Sequence, residues 1–221
     1  MSACCDPSGY HKQFGERTAR RNADAYRKRG LDGTARGLVA RLRDRGVAGA
    51  TVLEVGGGVG GIQLELLRAG ASRATNVELS PEYETSAEAL AAEAGLTDRV
   101  ERRIGDFVEV APTIPPADIV VMHRVVCCYP YLERLLAPAA ERTRSALALT
   151  FPRATPWIRA ALRVGNAWFA MTRCSFRAFV HPPAEIERIA VAHGLRPAYR
   201  HRGFVWQTVV YERAEAVTRR T

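Results

Sequence analysis

The chain has 221 residues, 47% hydrophobic and 25% charged, a balance that suits one α/β domain with a modest extension and a full core. Its net charge of +9 comes almost wholly from arginine, Lys12 and Lys28 being the only lysines. The arginines are scattered, without the aromatic interleaving of an RNA-binding surface, and no apolar run is long enough to span a bilayer, so solvated arginine and no membrane insertion are expected.

In chain order, residues 9–29 are polar, Arg-rich and helix-compatible, with Tyr10, Phe14 and Tyr26 as apolar contacts. Asp32 suits the N-cap of a helix over 33–45, in which Leu38 and Leu42 are one turn apart and which Gly46 ends. The β-branched run 50–55 reads as a first strand, followed by a helix over 60–69. Residues 73–79 read as a second strand. Ser80-Pro81 opens a helix closed by Gly95. Val100–Ile104 reads as a third strand, 112–116 as a Pro-rich loop, and Asp118–Met122 as a buried fourth strand. A helix from Tyr129-Pro130 to about 142 and a fifth strand over 146–151 complete a β-α-β alternation. That alternation predicts a Rossmann-like, mostly parallel sheet with helices on both faces.

The last third departs from this rhythm. A helix is expected over 154–172, with Trp157, Ala161, Val164, Trp168 and Met171 on one stripe. A loop with Phe176 and Phe179 leads to His181, and Pro183 starts a helix closed near Gly194. Strands at 195–201 and 204–212 are joined by a turn at Arg202-Gly203. So short a turn makes that pair antiparallel, which gives seven strands with an antiparallel last one.

The five cysteines include the adjacent pairs Cys4-Cys5 and Cys127-Cys128. Adjacent cysteines lack the C-x-x-C spacing of a zinc site. Reduced thiols are the simpler reading; a thiolate site made by folding one pair onto the other is the alternative. Met1 to Asp6 has no basic and apolar leader pattern, so a cytoplasmic location is expected.

The most informative segment is Glu54-Val55-Gly56-Gly57-Gly58-Val59-Gly60-Gly61. Five glycines in six residues, between a strand and a helix, let a ligand approach bare backbone amides. Gly56-x-Gly58-x-x-Gly61 formally fits the dinucleotide fingerprint. Glu54, two residues before the first glycine, does not suit a pyrophosphate: a carboxylate there attracts an ammonium group and repels phosphate.

With Glu54 in front, Gly56-x-Gly58-x-Gly60 resembles motif I of the class I S-adenosyl-L-methionine (SAM) dependent methyltransferases. The resemblance extends over about residues 50–212. It implies that Glu54 meets the SAM ammonium, that Gly56, Gly57, Gly58 and Gly60 allow close backbone approach, and that Glu78 with Leu79 holds the ribose. Gly105-Asp106-Phe107 closes the third strand where this family places an acid against the adenine, and the terminal antiparallel pair resembles the family's strands 6 and 7. S-adenosylhomocysteine (SAH) is the implied product, and no metal is required. The implied organisation is a helical extension over 1–46 covering the site, a methyltransferase domain over 47–212 with a cap-like insertion at 152–183, and a polar tail at 213–221.

The acceptor is less legible. The Asn/Asp-Pro-Pro-aromatic motif of amino-methyltransferases and the Pro-Cys nucleophile of cytosine C5 enzymes are absent after the fourth strand, so no DNA substrate is expected. A small-molecule acceptor, apolar or aromatic, is the favoured partner. His123 at the strand end is the candidate general base and also borders the cofactor; Tyr129 and His181 are lesser catalytic candidates. Tyr10, His11, Phe14, Arg124, Trp157, Trp168 and Phe179 are candidate acceptor contacts, and Arg153 and Arg177 are further cations for an acidic substrate. The insertion 152–183 has three readings: a stripe packed on the domain, a lid over the acceptor, or a membrane-surface helix. The Tyr129-Pro130 junction is loosely similar to that of magnesium-protoporphyrin IX O-methyltransferases, which often show His-Tyr-Pro there; here Cys128 stands in place of the histidine. A NAD-dependent oxidoreductase, an RNA methyltransferase and a non-catalytic SAM-binding module remain as alternatives, and the oligomeric state, a homodimer included, is open.

Overall fold

Thr51–Val55 (β1) is apolar on both faces apart from Thr51 and Glu54 and lies inside a seven-stranded sheet, between the second and fourth strands of the chain. A computed structural model describes residues 13–213. The order is β3-β2-β1-β4-β5-β7-β6, with β2 at Arg73–Glu78, β3 at Val100–Ile104, β4 at Ala117–His123, β5 at Thr143–Pro152, β6 at Leu195–Arg202 and β7 at Trp206–Arg213. The first five strands are parallel. β7 runs antiparallel to both β5 and β6, between which it is inserted. The expected seven-stranded, Rossmann-like sheet with an antiparallel last strand is therefore the observed one.

Alternate residues of each strand feed two cores, as the period of two requires. Leu53, Val55, Val120, Met122, Leu147 and Leu149 pack on one face. Against them lie Leu132–Glu141 (α6) and Pro183–Ala192 (α8), through Leu135, Leu136, Ile186 and Ile189. Val52, Ile119, Val121, Ala146 and Ala148 face the other way. There they meet Leu38 and Leu42 of Gly33–Arg45 (α2) and Leu64 and Leu67 of Gly61–Arg68 (α3). Glu16–Arg29 (α1) precedes α2 on this side, and Glu84–Glu93 (α4) follows β2. On strand parity Glu54 shares the face of Val52, and His123 that of Val121.

Asp32 caps α2 as its sequence suggests, with Oδ1 accepting from the amides of Thr34 (2.8 Å) and Ala35 (3.0 Å). Three boundaries shift. Pro81–Tyr83 is a 3-10 turn ahead of α4. Val126–Cys128 is another, so α6 begins at Leu132 and not at Tyr129. Arg213 ends β7, and its guanidinium donates to the carbonyls of Thr143, His193 and Ala140 (2.8, 3.0 and 2.8 Å).

The largest difference is at Pro156–Met171 (α7). The stripe of Trp157, Val164, Trp168 and Met171 faces outward. Ile158 is buried and Leu162 and Phe169 are half-buried one step round the helix. The helix has apolar residues on two adjacent faces, and periodicity alone does not say which one packs. Asn166 fastens α7 to the returning chain: its Nδ2 donates to the Ala178 carbonyl (2.8 Å) and its Oδ1 accepts from the Ala178 amide (2.9 Å).

Candidate active site

The parallel strands reverse order between β1 and β4, which opens a crevice at their carboxyl ends. A cavity of about 780 Å³ lies there, bounded by the glycine turn, the ends of β2, β3 and β4, and the helices α1 and α2.

The turn is fixed by close approach. Gly56 has φ +64, and a Cβ on it would lie 2.6 Å from Val125 Cγ2. The first turn residue is thus pressed against the segment leaving β4. Gly57 has no room either: a Cβ would lie 2.1 Å from Asn76 Nδ2 and 2.7 Å from Glu54 Cδ. Glu54, Asn76 and Arg102 are register partners across β1, β2 and β3. Arg102 in turn donates to the Gly58 carbonyl (3.2 Å) and pairs with Glu84 (2.7 Å).

Two buried carboxylates accept from backbone amides in and beside this turn. Glu54 is 2% exposed, and its Oε2 accepts from the Gln63 amide in the first turn of α3 at 3.2 Å. Glu78 accepts from the amides of Gly58 (2.8 Å) and Ser80 (3.0 Å). The Gly58 and Gln63 amides are ones that a pyrophosphate at this helix start would need, so the turn suits a cation better than a phosphate. Burial pushes the Glu54 carboxyl up to about 8, against the opposing pull of the Gln63 amide and Arg102. Burial also raises Glu78, countered by the Ser80 and Gly58 amides. A buried acid held protonated for want of a partner is matched by a ligand that brings a cation. Asp106 borders the same space and caps Phe107–Val110 (α5), its Oδ1 accepting from the Val108 amide at 2.9 Å. Phe107 and Leu79 complete that end.

At the opposite end His123 and Arg124 leave β4. Arg124 sits in the left-handed region at φ +62. Its amide donates to the Thr150 carbonyl (2.9 Å), and its guanidinium lies 4.6 Å over the Trp206 ring and 3.2 Å from Asp32 Oδ2. The same Asp32 oxygen is 3.7 Å from His123 Nε2, ion-pair range and too long for a formed hydrogen bond. The His123 ring, the Ala35 amide and the Arg124 guanidinium hold the Asp32 carboxyl well below the usual carboxylate range, against its burial.

Glu54, Gly56, Gly57, Gly58, Glu78, Leu79, Asp106, Phe107 and His123 all border this one cavity, as do Tyr129, Phe14 and Arg124. Gly60 does not; it is the left-handed N-cap residue of α3, with φ +79. His181 lies outside the lining and its Nε2 is 2.9 Å from the Tyr129 carbonyl, while Phe179 stacks on His181 at 6.1 Å. Trp157 and Trp168 are on the outer surface and do not close over the cavity; Phe176 reaches its edge instead, through an edge contact with Phe14 at 5.5 Å. Tyr10, His11, Cys4 and Cys5 lie outside the described residues. No group of three or more His, Cys, Asp or Glu able to hold a metal ion occurs among the described residues. Asp32, Tyr26, Asn22, Arg29 and Tyr83 border the cavity without having been assigned to the site from sequence. The N-cap signal at Asp32 was the only local pointer among them.

Residues 53–145 match the family model for the methyltransferase domain. That match spans the glycine turn, β2, β3 and β4, and with the sheet order it agrees with the expected resemblance to class I SAM-dependent methyltransferases. Among solved structures it is similar to magnesium protoporphyrin IX methyltransferase from Synechocystis PCC 6803 with bound SAH. The TM-score is 0.72 and the identity 20%, over 94% of this chain and 98% of that one. It is similar to geranyl diphosphate C-methyltransferase from Streptomyces coelicolor A3(2) (TM-score 0.66, 16% identity, 89% and 83% covered). It is also similar to a putative RNA methyltransferase from Pyrococcus horikoshii (TM-score 0.59, 18% identity, 86% and 86%). Curated protein sequences give no match.

Proposed function

We propose that the chain is a class I SAM-dependent methyltransferase that acts on a small-molecule acceptor with an apolar or aromatic body, releasing SAH. The observation that carries the reading is one continuous cavity with the carboxylate-lined turn at one end and Asp32, His123 and Arg124 at the other. Its volume falls in the range of small-molecule sites, roughly 300–1,000 Å³.

When bound, SAM supplies an electrophilic methyl group on a sulfonium. Glu54 is the counter-charge for the ammonium group, Glu78 accepts from ribose hydroxyls, and Asp106 with Leu79 and Phe107 borders the adenine. Gly56, Gly57 and Gly58 keep the backbone low, and Gly60 starts α3 behind them. His123 takes the proton from the acceptor nucleophile, held in place by Asp32. His181 positions Tyr129 through the carbonyl of that residue. Phe14 and Tyr129 flank the acceptor body. Arg124, with Arg29 and Arg36 also lining the cavity, suits an acceptor bearing an acidic group. In-line displacement asks little more of the protein than positioning, proton removal and exclusion of water.

Calorimetry with SAH and NADH, followed by product detection with phenolic and carboxylic acceptors, tests the reading. Tight SAH binding, no NADH binding and methylation that depends on His123 are expected. NADH binding without SAH binding would overturn it in favour of an oxidoreductase. SAH binding with no turnover would favour a non-catalytic module, and methylation of RNA alone an RNA methyltransferase.

A further inference from the structure

Outside the cavity, α7 presents apolar side chains to solvent. Trp157 is 45% exposed, Val164 71%, Trp168 63% and Met171 77%. They recur at helical spacing and form one continuous stripe. Phe204, 79% exposed at the tip between β6 and β7, stacks on Trp157 with ring centroids 4.8 Å apart and extends the stripe beyond the helix. A patch of this size and aromatic content is not ordinary solvent-facing surface.

The charge around it has one sign. From Arg142 to Ala184 the chain contains no aspartate or glutamate, but seven arginines. Arg202 sits exposed beside Phe204 and Arg173 just beyond the end of α7, while Arg159 and Arg163 are exposed on the side of the helix turned away from the stripe. Two copies of this face brought together would meet with basic margins and no acid from this stretch between them, which disfavours a second copy as the occupant. An apolar stripe with tryptophans and a uniformly basic margin matches a surface that is apolar inside and anionic at its rim. That is the profile of a helix lying in the headgroup layer of a bilayer. α7 has 16 residues, and no helix among the described residues is long and apolar enough to cross a membrane. The contact is therefore peripheral. The outward stripe is also free to enter lipid without unfolding the domain, because α7 is held from behind by Ile158 and by the Asn166–Ala178 pair.

We propose that the outer face of α7, with Phe204, docks the enzyme on an anionic lipid surface. The tryptophans and Met171 enter the headgroup–acyl boundary, and Arg173 and Arg202 meet the headgroup phosphates.

Vesicle flotation tests this with the full chain. Phosphatidylcholine vesicles containing about 30% phosphatidylglycerol should carry the protein, and pure phosphatidylcholine vesicles should carry much less. Binding should weaken with added salt, and tryptophan emission should shift to the blue with quenching by lipids labelled near the headgroup. The surface variant Trp157→Ser/Trp168→Ser/Met171→Ser should bind at least tenfold more weakly while keeping its SAH affinity. Arg173→Gln/Arg202→Gln should lose roughly fivefold for each arginine neutralised, on the anionic vesicles only. Failure of the wild-type chain to float with anionic vesicles, or equal flotation of the variants, would overturn the proposal. So would a dimer in sedimentation equilibrium that the triple variant abolishes, since the face would then belong to a second copy.

Discussion

Asp32 and His123 face one another across the cavity at 3.7 Å, one from the N-cap of α2 and the other from the last position of β4. The two oxygens of Asp32 divide the work. Oδ1 caps the helix, and Oδ2 looks toward His123 and Arg124.

That division makes Asp32→Asn informative, because asparagine caps a helix about as well as aspartate. Melting temperature should change little, whereas kcat should fall and its pH profile should move. His123→Ala should lower kcat by about 10²–10⁴-fold, the usual worth of a general base, with SAH affinity within a few-fold of wild type. Loss of SAH binding in step with kcat would remove His123 from proton transfer.

Glu54 predicts a pH dependence of opposite sense to that of a salt-bridged acid. Its carboxyl titrates near 4.5 in an unfolded chain and is pushed up to about 8 in the fold. Between these values the folded ligand-free chain holds the extra proton, so raising the pH through this window lowers stability. Glu54→Gln should flatten that decline in denaturant titrations monitored from pH 5 to 8.

A ligand ammonium reverses the preference of Glu54 and expels its proton. SAH affinity should rise by up to about tenfold per pH unit below pH 8. Calorimetry in buffers of different ionisation enthalpy should register release approaching one proton. A pH-independent affinity would separate Glu54 from the ammonium.

Gly57→Ala should abolish SAH binding. Its methyl would meet Asn76 Nδ2 and the Glu54 carboxyl, both buried, so it displaces the counter-charge itself. Overpacking of this kind costs about 1–3 kcal/mol, small enough for the folded variant to be assayed.

Asn166→Ala removes both hydrogen bonds that hold α7 to Ala178. Limited proteolysis should shift to the 170–180 segment and hydrogen exchange there should quicken, with the sheet unaffected. Unchanged protection would mean that Ile158 and the Phe169–Phe176 contact (5.5 Å) suffice.

The glycine turn and Glu54 were legible because strand, turn and acid are contiguous in the chain. The parallel run of strands followed from the alternation of elements, the antiparallel last pair from its short turn, and Asp32 as an N-cap from its local pattern. Its approach to His123 was hidden, because that pairing depends on how α1 and α2 lie across the sheet. The same is true of Tyr26, Arg29 and Tyr83 at the cavity wall. On α7 the apolar period was correct but its phase was not decidable: Ile158, Leu162 and Phe169 form a second stripe beside the one singled out. The inward stripe is fixed by Phe176, Phe14 and Ala178, and none of these partners is implied by the helix itself.

The amides of Gln63 and Gly58 are already committed to Glu54 and Glu78. A strand–turn–helix junction that offers backbone N–H groups is a positive socket, but here two acidic side chains occupy part of those donors. Selection at this junction is therefore expected to act on the sign of the ligand's charge before its shape. Backbone geometry alone would class this turn with nucleotide sockets; the two acids argue for the opposite kind of guest.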